Sequence, residues 1–325
     1  MGTPLPVTRV VPSGETGSTC SSISLGRAQR GAGAWYGFLS FPDSTGVDLL
    51  TSTELRDLLS RQHIILSKRF GQNFLVDRNA LTGIASHLPA GDGIVFIEIG
   101  AGALALTTTL ASRGRRVVAF EIDERLRRVH DVLLAGDSLG RRIEVRYEDG
   151  LNADWSTLVN ADETPVLVGN LPYLRSTDTV LKLVQTERVG EAYLMFQREF
   201  ADRLAAPRGN HEYGSLSVVV QTFFDVERLM ELPPEVFFPR PEVRSTLLGL
   251  VRHPGGLADD ETVSFLKFVH EAFLHRRKKL ADFFRRRGIP LTGDFAAISQ
   301  LRPEALSPSE FVDLFHAASR FEEGA

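Results

Sequence analysis

The stretch Pro165-Val-Leu-Val-Gly-Asn-Leu-Pro-Tyr173 holds the residue types best suited to chemistry on a flat ring that carries an amine. Pro165 to Gly169 is apolar without alternation and reads as a buried strand. It runs into a turn with an amide, a proline and an aromatic ring. Pro172 fixes its own φ and keeps Leu171 out of the helical region, so the turn is stiff. At the carboxyl end of a parallel strand, a stiff turn aims the Asn170 side chain, the Leu171 carbonyl and the Tyr173 ring at one place. The two N–H groups of an exocyclic amine can be accepted by the Asn170 oxygen and a carbonyl, and Tyr173 can stack on the ring. Taken alone, the same residues also describe a strand-ending turn with a buried tyrosine.

A second group of residues fits a nucleoside. The first strand ends Ile97-Glu-Ile-Gly-Ala-Gly102, and the second ends at Glu121, followed by Asp123. Glycines after a first strand let backbone approach a ligand, and an acid ending the next strand can accept both ribose hydroxyls. Gly100, Gly102 and Ala105 also satisfy the dinucleotide fingerprint, so this loop does not choose its cofactor. Glu148-Asp149 after the third strand offers a carboxylate to an adenine amino group, or is a solvated acidic turn. The combination carries more than its parts, because a hydride-transfer enzyme has no use for the Asn-Leu-Pro-Tyr turn. In the segment Ser67 to Asp77, Lys68 and Arg69 add positive charge, Gly71 breaks the chain, and Gln72 and Asn73 lie between Phe70 and Phe74. The phenylalanines read as core or lid, and the amides read first as ordinary turn residues.

These residues need a scaffold, and the chain supplies an alternating one. Ser52 is the expected cap of a helix Thr53 to Gln62 with Leu55, Leu58 and Leu59 on one face. Strands are expected at Ile94 to Ile99, Arg116 to Glu121, Ile143 to Tyr147, Pro165 to Gly169 and Ala192 to Phe196. Helices are expected at Leu104 to Ser112, Asp123 to Leu134, Thr177 to Gln185 and Gln197 to Ala206. Such alternation with short connections predicts an α/β fold, a doubly wound, Rossmann-like parallel sheet. Asp225 to Leu232 and Val243 to Arg252 add an antiparallel hairpin at the sheet edge, stiffened by Pro233, Pro234, Pro239 and Pro241. After the linker His253 to Gly256, Phe265, Phe268, Val269, Ala272, Phe273, Phe283, Phe284, Phe311, Leu314 and Phe315 fall at helical spacing, a small all-α domain. The expected organisation is a disordered tail over 1–46, a doubly wound sheet domain over 47–253 and a helical domain over 254–325.

Composition narrows the classes. The chain has 325 residues, 43% of them hydrophobic, with net charge −4, so it can bury a core and is not basic as a whole. Any nucleic-acid surface must be local. Arg276, Arg277, Lys278 and Lys279, then Arg285 to Arg287, crowd one stretch opposed only by Asp282. Leu280, Phe283 and Phe284 let one face of that helix pack while the basic side chains point outward as phosphate contacts. The single cysteine, Cys20, excludes an intrachain disulfide and a cysteine-rich metal site. No metal is expected. The Gly, Ser, Thr and Pro-rich start, with Arg9, Arg27 and Arg30 against Glu15, is expected to be a flexible tail or translated extension rather than a transit peptide. No stretch is long and apolar enough to span a bilayer. A cytoplasmic monomer is expected.

Ser67 to Asp77, Glu98 to Gly102, Glu121 to Asp123, Asp149, Gly169 to Tyr173, Met195 to Leu204, Tyr213 to Gln221 and Phe237 to Ser245 together resemble the ribosomal RNA adenine N6,N6-dimethyltransferases, most of all the bacterial small-subunit, kasugamycin-sensitivity type. The resemblance runs from about Ser52 to the C-terminus. It implies S-adenosyl-L-methionine as methyl donor and an adenine of ribosomal RNA, within an immature small subunit, as acceptor. It also implies a cofactor site built of Asn73, Leu75, Gly100, Gly102, Glu121, Asp149 and Asn170. The target base would be held by Asn170, Leu171, Pro172 and Tyr173. The chain departs from the family where a third loop glycine is common and Leu104 stands, and where Leu174 follows the tyrosine in place of a polar residue. Three other readings stay open. A large-subunit enzyme of the macrolide-resistance type shares the turn and Ser176-Thr-Asp178. A DNA adenine methyltransferase shares the chemistry without Ser67 to Asp77. A ribosome-assembly factor would bind rRNA with catalysis secondary.

Overall fold

Thr51, not Ser52, opens the first element. Its hydroxyl accepts the Glu54 N–H at 3.3 Å while the Glu54 carboxylate takes the Thr51 N–H at 2.8 Å, a reciprocal cap that starts helix α1 (Ser52–Arg61). The computed structural model describes residues 49–67, 70–135, 138–253 and 257–323. The expected tail over 1–46, the basic pair Lys68 and Arg69, and most of the linker at 254–256 lie outside the described residues.

Strand β1 (Phe74–Leu75) and helix α2 (Arg78–His87) lead into the alternating part: β2 (Gly91–Ile99), α3 (Ala105–Ala111), β3 (Gly114–Phe120), α4 (Arg127–Leu133), β4 (Ile143–Arg146), β5 (Thr164–Asn170), α5 (Ser176–Gln185), β6 (Glu191–Gln197) and α6 (Arg198–Leu204). Then come α7 (Ser215–Phe223), β7 (Phe224–Leu232), β8 (Phe237–Phe238) and β9 (Ser245–Arg252), and last α8 (Thr262–Phe273), α9 (Leu280–Arg286), α10 (Asp294–Ile298) and α11 (Pro308–Glu323).

The main sheet has the order β4-β3-β2-β5-β6-β9-β7, parallel from β4 to β6 and antiparallel at β9 and β7. It is the doubly wound sheet with an edge hairpin that the spacing predicts. Its central strands are apolar on both faces because both are covered: Val95 to Ile97, Val117 to Ala119, Leu167 and Val168 have no exposure. The chain leaves β2 towards β3 and β4 and returns to β5 on the other side of β2. That reversal separates the connections at the carboxyl ends of β2 and β5, where Ile99 pairs with Gly169. Within the hairpin connection, β8 folds back to pair with β1, Phe74 opposite Phe238.

Helices α2 and α7 go beyond the pattern-based expectation. Asp77 caps α2 through the Ala80 N–H at 2.8 Å, and Gly83 leaves room there for the Met230 side chain. Val218 to Val220 of α7 favour a strand by propensity. Burial overrides it: α7 packs against α5, α6, α8 and α11, and Ser217 Oγ takes the Gly214 N–H at its start. One apolar cluster therefore runs without a break from Val95, Ile97 and Leu167 of the sheet through Val218 and Val220 to Phe265, Phe268, Phe283, Phe311 and Phe315. Edge-to-face aromatic pairs, such as Phe268 with Phe283 at 5.0 Å, fix its C-terminal part. No described helix is long and apolar enough to cross a membrane.

Candidate active site

A cavity of about 420 Å³ opens where the carboxyl ends of β2, β3 and β5 meet. Of the residues singled out in the sequence, Asn73, Leu75, Gly100, Gly102, Glu121, Asp149, Asn170 and Pro172 line it. Leu171 and Tyr173 do not. The Leu171 side chain is sunk in the core, 2% exposed, and Tyr173 stands half-buried beside the cavity with its hydroxyl 3.4 Å from Ser245 Oγ on β9.

The segment between Phe70 and Leu75 lies over the turn. Gly71 and Gly102 are needed for that closeness as well as for their left-handed φ of 58° and 55°. A Cβ on the first would come within 3.3 Å of the Pro172 Cβ, and one on the second within 2.9 Å of the Phe74 ring. The amides are more than turn residues here. Gln72 Nε2 donates to Asp123 Oδ2 at 2.8 Å, and the Asn73 carbonyl accepts Asn170 Nδ2 at 2.5 Å. With its NH₂ group committed, Asn170 keeps its side-chain oxygen as an acceptor.

The two acids near the end of β3 are divided by their partners. Glu121 accepts the Gly102 N–H through Oε2 and the Asp123 N–H through Oε1, both at 2.9 Å. Asp123 is clamped by Arg125, whose Nε and Nη2 each lie 2.7 Å from a carboxylate oxygen. Burial alone would raise the Asp123 carboxyl, but Arg125 and Gln72 outweigh it and hold it below the usual range. Asp123 is thus structural, and Glu121 faces the cavity.

The family is decided by comparison with known proteins. The ribosomal RNA adenine dimethylase profile matches residues 65–294, and a Bacillus mycoides protein named ribosomal RNA small subunit methyltransferase A is 38% identical over 242 residues, 72% of this chain and 82% of the relative. The chain belongs to the ribosomal RNA adenine dimethylase family. Among solved structures, a dimethyladenosine transferase from Plasmodium falciparum superposes with a TM-score of 0.60 at 22% identity, covering 76% of this chain and 98% of that one. The 23S rRNA methyltransferase ErmE gives 0.54 at 25% identity, covering 76% and 100%. Both share the fold.

Three features of this dimethylase escaped the sequence. Asp149 is not free: its Oδ2 is 2.8 Å from Arg175 Nη2 and its Oδ1 accepts the Leu151 N–H at 3.0 Å. Leu174, 81% exposed, stands at the cavity opening. Glu98 lines the cavity almost fully buried, and its Oε2 has no hydrogen-bond partner among the described residues. An acid within a buried apolar run was the signal for Glu98. Nothing in the sequence pointed to the pairing of Asp149 with Arg175. Leu104 has a positive φ of 62° and is fully buried at the start of α3, so packing of its side chain holds a conformation for which glycine is the common choice.

Burial, together with the neighbouring Glu121, pushes the Glu98 carboxyl from 4.5 up to about 8, and burial pushes Glu121 up to about 7. Both folded-state values lie above those of the unfolded chain, so the folded protein binds the extra protons at intermediate pH. The stabilisation is present at low pH and is lost as pH rises through about 7 to about 8. The melting temperature of the ligand-free protein is expected to fall from about pH 5 to about pH 8 and to level off above that, and Glu98→Gln to flatten that slope. Calorimetric scans across pH check it. An equal slope in the variant would assign the titration to another group.

The basic stretch 275–287 is less open than its composition implied. Arg276 pairs with Glu304 and donates to the His211 carbonyl, and Arg287 joins Glu271 and Glu322 beneath α8 and α11. Lys278 and Arg285 both reach Asp282, and Lys279 Nζ meets Gln300 Oε1 at 3.0 Å. Arg277 and Arg286 make no ion pair among the described residues. The expectation that the whole cluster points outward is therefore corrected for Arg276, whose guanidinium ties the connection before α9 to two other connections, and for Arg287, whose guanidinium ties the end of α9 to α8 and α11.

Proposed function

We propose that this chain transfers methyl groups from S-adenosyl-L-methionine to N6 of adenosines in ribosomal RNA. Its substrate would be two adjacent adenosines near the 3′ end of small-subunit (16S-type) rRNA, dimethylated during subunit maturation. The observation that carries the reading is the Asn170 amide: with Nδ2 held by the Asn73 carbonyl at 2.5 Å, its oxygen is oriented as an acceptor at the end of β5. A donor amine on a base fits such an acceptor.

The cavity suits the cofactor. Two buried carboxyl groups, one with an oxygen that has no hydrogen-bond partner among the described residues, are driven towards the neutral form by burial and would be charged again by a ligand that carries positive charge, and the loop glycines admit backbone contact. Glu121 would hold the ribose through the lone pairs its two backbone donors leave, and Asp149 the adenine amino group. Asn73, Leu75, Gly100 and Gly102 would form the walls. S-adenosylmethionine supplies an already activated methyl group, so the protein needs mainly to align the acceptor nitrogen.

The target nitrogen is a poor nucleophile because its lone pair is delocalised into the ring. Hydrogen bonds from N6 to the Asn170 oxygen and the Leu171 carbonyl favour a pyramidal nitrogen with a directed lone pair. Pro172 keeps those two acceptors in register, and Tyr173 stacks on the base. No strong base is required. A neutral amide also accepts a monomethylated amine, which permits a second transfer. The adenosine must leave its stack to reach the turn.

The small-subunit assignment is supported by the name of the Bacillus relative and its higher identity, against 25% for the 23S enzyme. Incubating small- and large-subunit rRNA with labelled S-adenosylmethionine, followed by mass analysis of RNA fragments, tests it. Dimethyladenosine in large-subunit RNA alone would refute it. The reading includes an immature small subunit as partner and a monomer at work in the cytoplasm.

Phosphate contacts would come from the exposed part of the basic stretch, Arg277, Lys278 and Lys279, with Lys68 and Arg69 added from the positions just before Phe70. Arg276, already paired, contributes less. Replacing Arg277, Lys278 and Lys279 with Gln is expected to weaken RNA binding broadly and to flatten its salt dependence by about 0.7 to 0.9 in slope per lost contact. Cofactor affinity should hardly move. RNA affinity measured across a salt series decides the matter, and superimposed lines for parent and variant would remove this surface from the RNA contact.

A further inference from the structure

His130 of α4 is 1% exposed, and the chemistry above makes no use of it. Its Nε2 lies 2.7 Å from the Gly102 carbonyl and its Nδ1 lies 2.8 Å from the Tyr147 hydroxyl. A carbonyl only accepts, so Nε2 carries the proton, and in the neutral ring Nδ1 must then accept the Tyr147 O–H. Burial, which disfavours the charged ring, holds its pKa low and agrees with that neutral form. Tyr147 is itself fixed: its ring stacks on His130 at 5.6 Å, with the Arg127 guanidinium 3.8 Å from its centroid on α4. The tautomer is therefore set by a partner that is held in turn.

What the ring supports is the loop at the end of β2. Gly100, Gly102 and Leu104 all have positive φ, at 87°, 55° and 62°, so three of five consecutive residues occupy left-handed backbone. Glycine takes such backbone without steric cost, but Leu104 does not, and a residue of that kind persists there only where its surroundings over-determine it. Gly102 is held from both sides, its N–H by Glu121 Oε2 at 2.9 Å and its C=O by His130. The His130 bond therefore acts on the same residue as the acid assigned to the ribose.

We propose that His130 is a positioning residue for the cofactor loop, a buried strut that sets the Gly102 peptide and through it the Glu121 carboxylate. The proposal rests on the cofactor reading above and adds to it a residue that never touches the ligand. Losing the strut leaves the part-buried Gly102 carbonyl without its donor and the loop free to relax. Cofactor binding suffers, while the turn at 170–173 and the RNA surface are untouched.

Three variants test it. His130→Phe keeps a ring without a donor, His130→Gln restores an N–H within reach of the carbonyl, and Tyr147→Phe removes only the group that sets the tautomer. In His130→Phe, the Kd for S-adenosylhomocysteine and the KM for S-adenosylmethionine are expected to rise roughly tenfold, with the KM for rRNA unchanged. His130→Gln should recover most of the loss, and Tyr147→Phe should cost roughly threefold. Hydrogen exchange of the ligand-free protein should speed up at residues 101–104 in His130→Phe and return towards the parent rate in His130→Gln. Parental cofactor affinity and parental exchange in His130→Phe would overturn the proposal. So would losses in cofactor and RNA binding that run in step in both His130 variants, because that is a general folding defect. Should His130→Phe not fold, Tyr147→Phe decides, and parental affinity there overturns the strut. A parent protein that binds no S-adenosylhomocysteine refutes the cofactor reading instead, while the exchange rates still decide whether His130 orders the loop.

Discussion

Asn170→Ala is expected to lower kcat for adenine methylation by about a hundredfold while leaving S-adenosylmethionine and bulk RNA binding within a few-fold of the parent. Its amide orients the acceptor nitrogen, an interaction realised fully only as the methyl group is transferred, so the loss falls on kcat rather than on KM. Part of the effect passes through the segment from Phe70 to Leu75, because the variant also leaves the Asn73 carbonyl without the donor now 2.5 Å away. Asn170→Asp separates the two roles. It keeps acceptor oxygens but has no N–H for Asn73, and it is expected to be nearly as inactive. Tyr173→Ala removes stacking worth about 1–3 kcal/mol, a loss of roughly fivefold to 150-fold. Tyr173→Phe keeps the ring and gives up only the long 3.4 Å contact to Ser245, so it should retain near-parental turnover. Single-turnover kinetics with product analysis distinguish these cases. If the two alanine variants kept parental rates and dimethyl product, the turn would be structural and the proposed chemistry would fail.

Glu121→Ala is expected to weaken S-adenosylmethionine binding at least tenfold, since each hydrogen bond to a charged acceptor contributes about 1.5–3 kcal/mol. The cavity around it is otherwise intact, so the RNA affinity of the variant should be that of the parent. The substitution also strips the Gly102 and Asp123 N–H groups of their partner, and some stability is lost with them. Melting curves are the control. The parent supplies an independent check through proton linkage: burial pushes Glu121 up to about 7 and Glu98 up to about 8, and a cationic ligand favours the charged form of both. Binding should therefore release protons and tighten as pH rises through neutrality. Calorimetry in buffers of different ionisation heat measures that release. Unchanged affinity in Glu121→Ala, or tighter binding of NAD than of S-adenosylmethionine by the parent, would sink the cofactor assignment.

The sequence by itself determined what depends on neighbours along the chain. Unbroken apolar runs give strands buried on both faces, as at Val166 to Val168 and Val117 to Ala119. Pro172 stiffens its turn, glycines and an acid follow successive strands, and that regular alternation with short connections is enough to bring Gly100, Glu121, Asp149 and Asn170 to one cavity. Tertiary structure decided which partner each polar group takes. Asn170 is oriented by a carbonyl 97 positions away, Asp149 is taken by Arg175, and Asp123 is taken by Arg125 and Gln72, leaving Glu121 to face the cavity. It also turned Val218 to Val220 into a buried helix, held Leu104 in left-handed backbone and drew Arg276 and Arg287 into ion pairs. The physical reason is range. A strand or a stiff turn is set by dihedral preference and burial within a few residues, whereas a hydrogen bond or ion pair is chosen among all groups that folding brings within about 3 Å of one another.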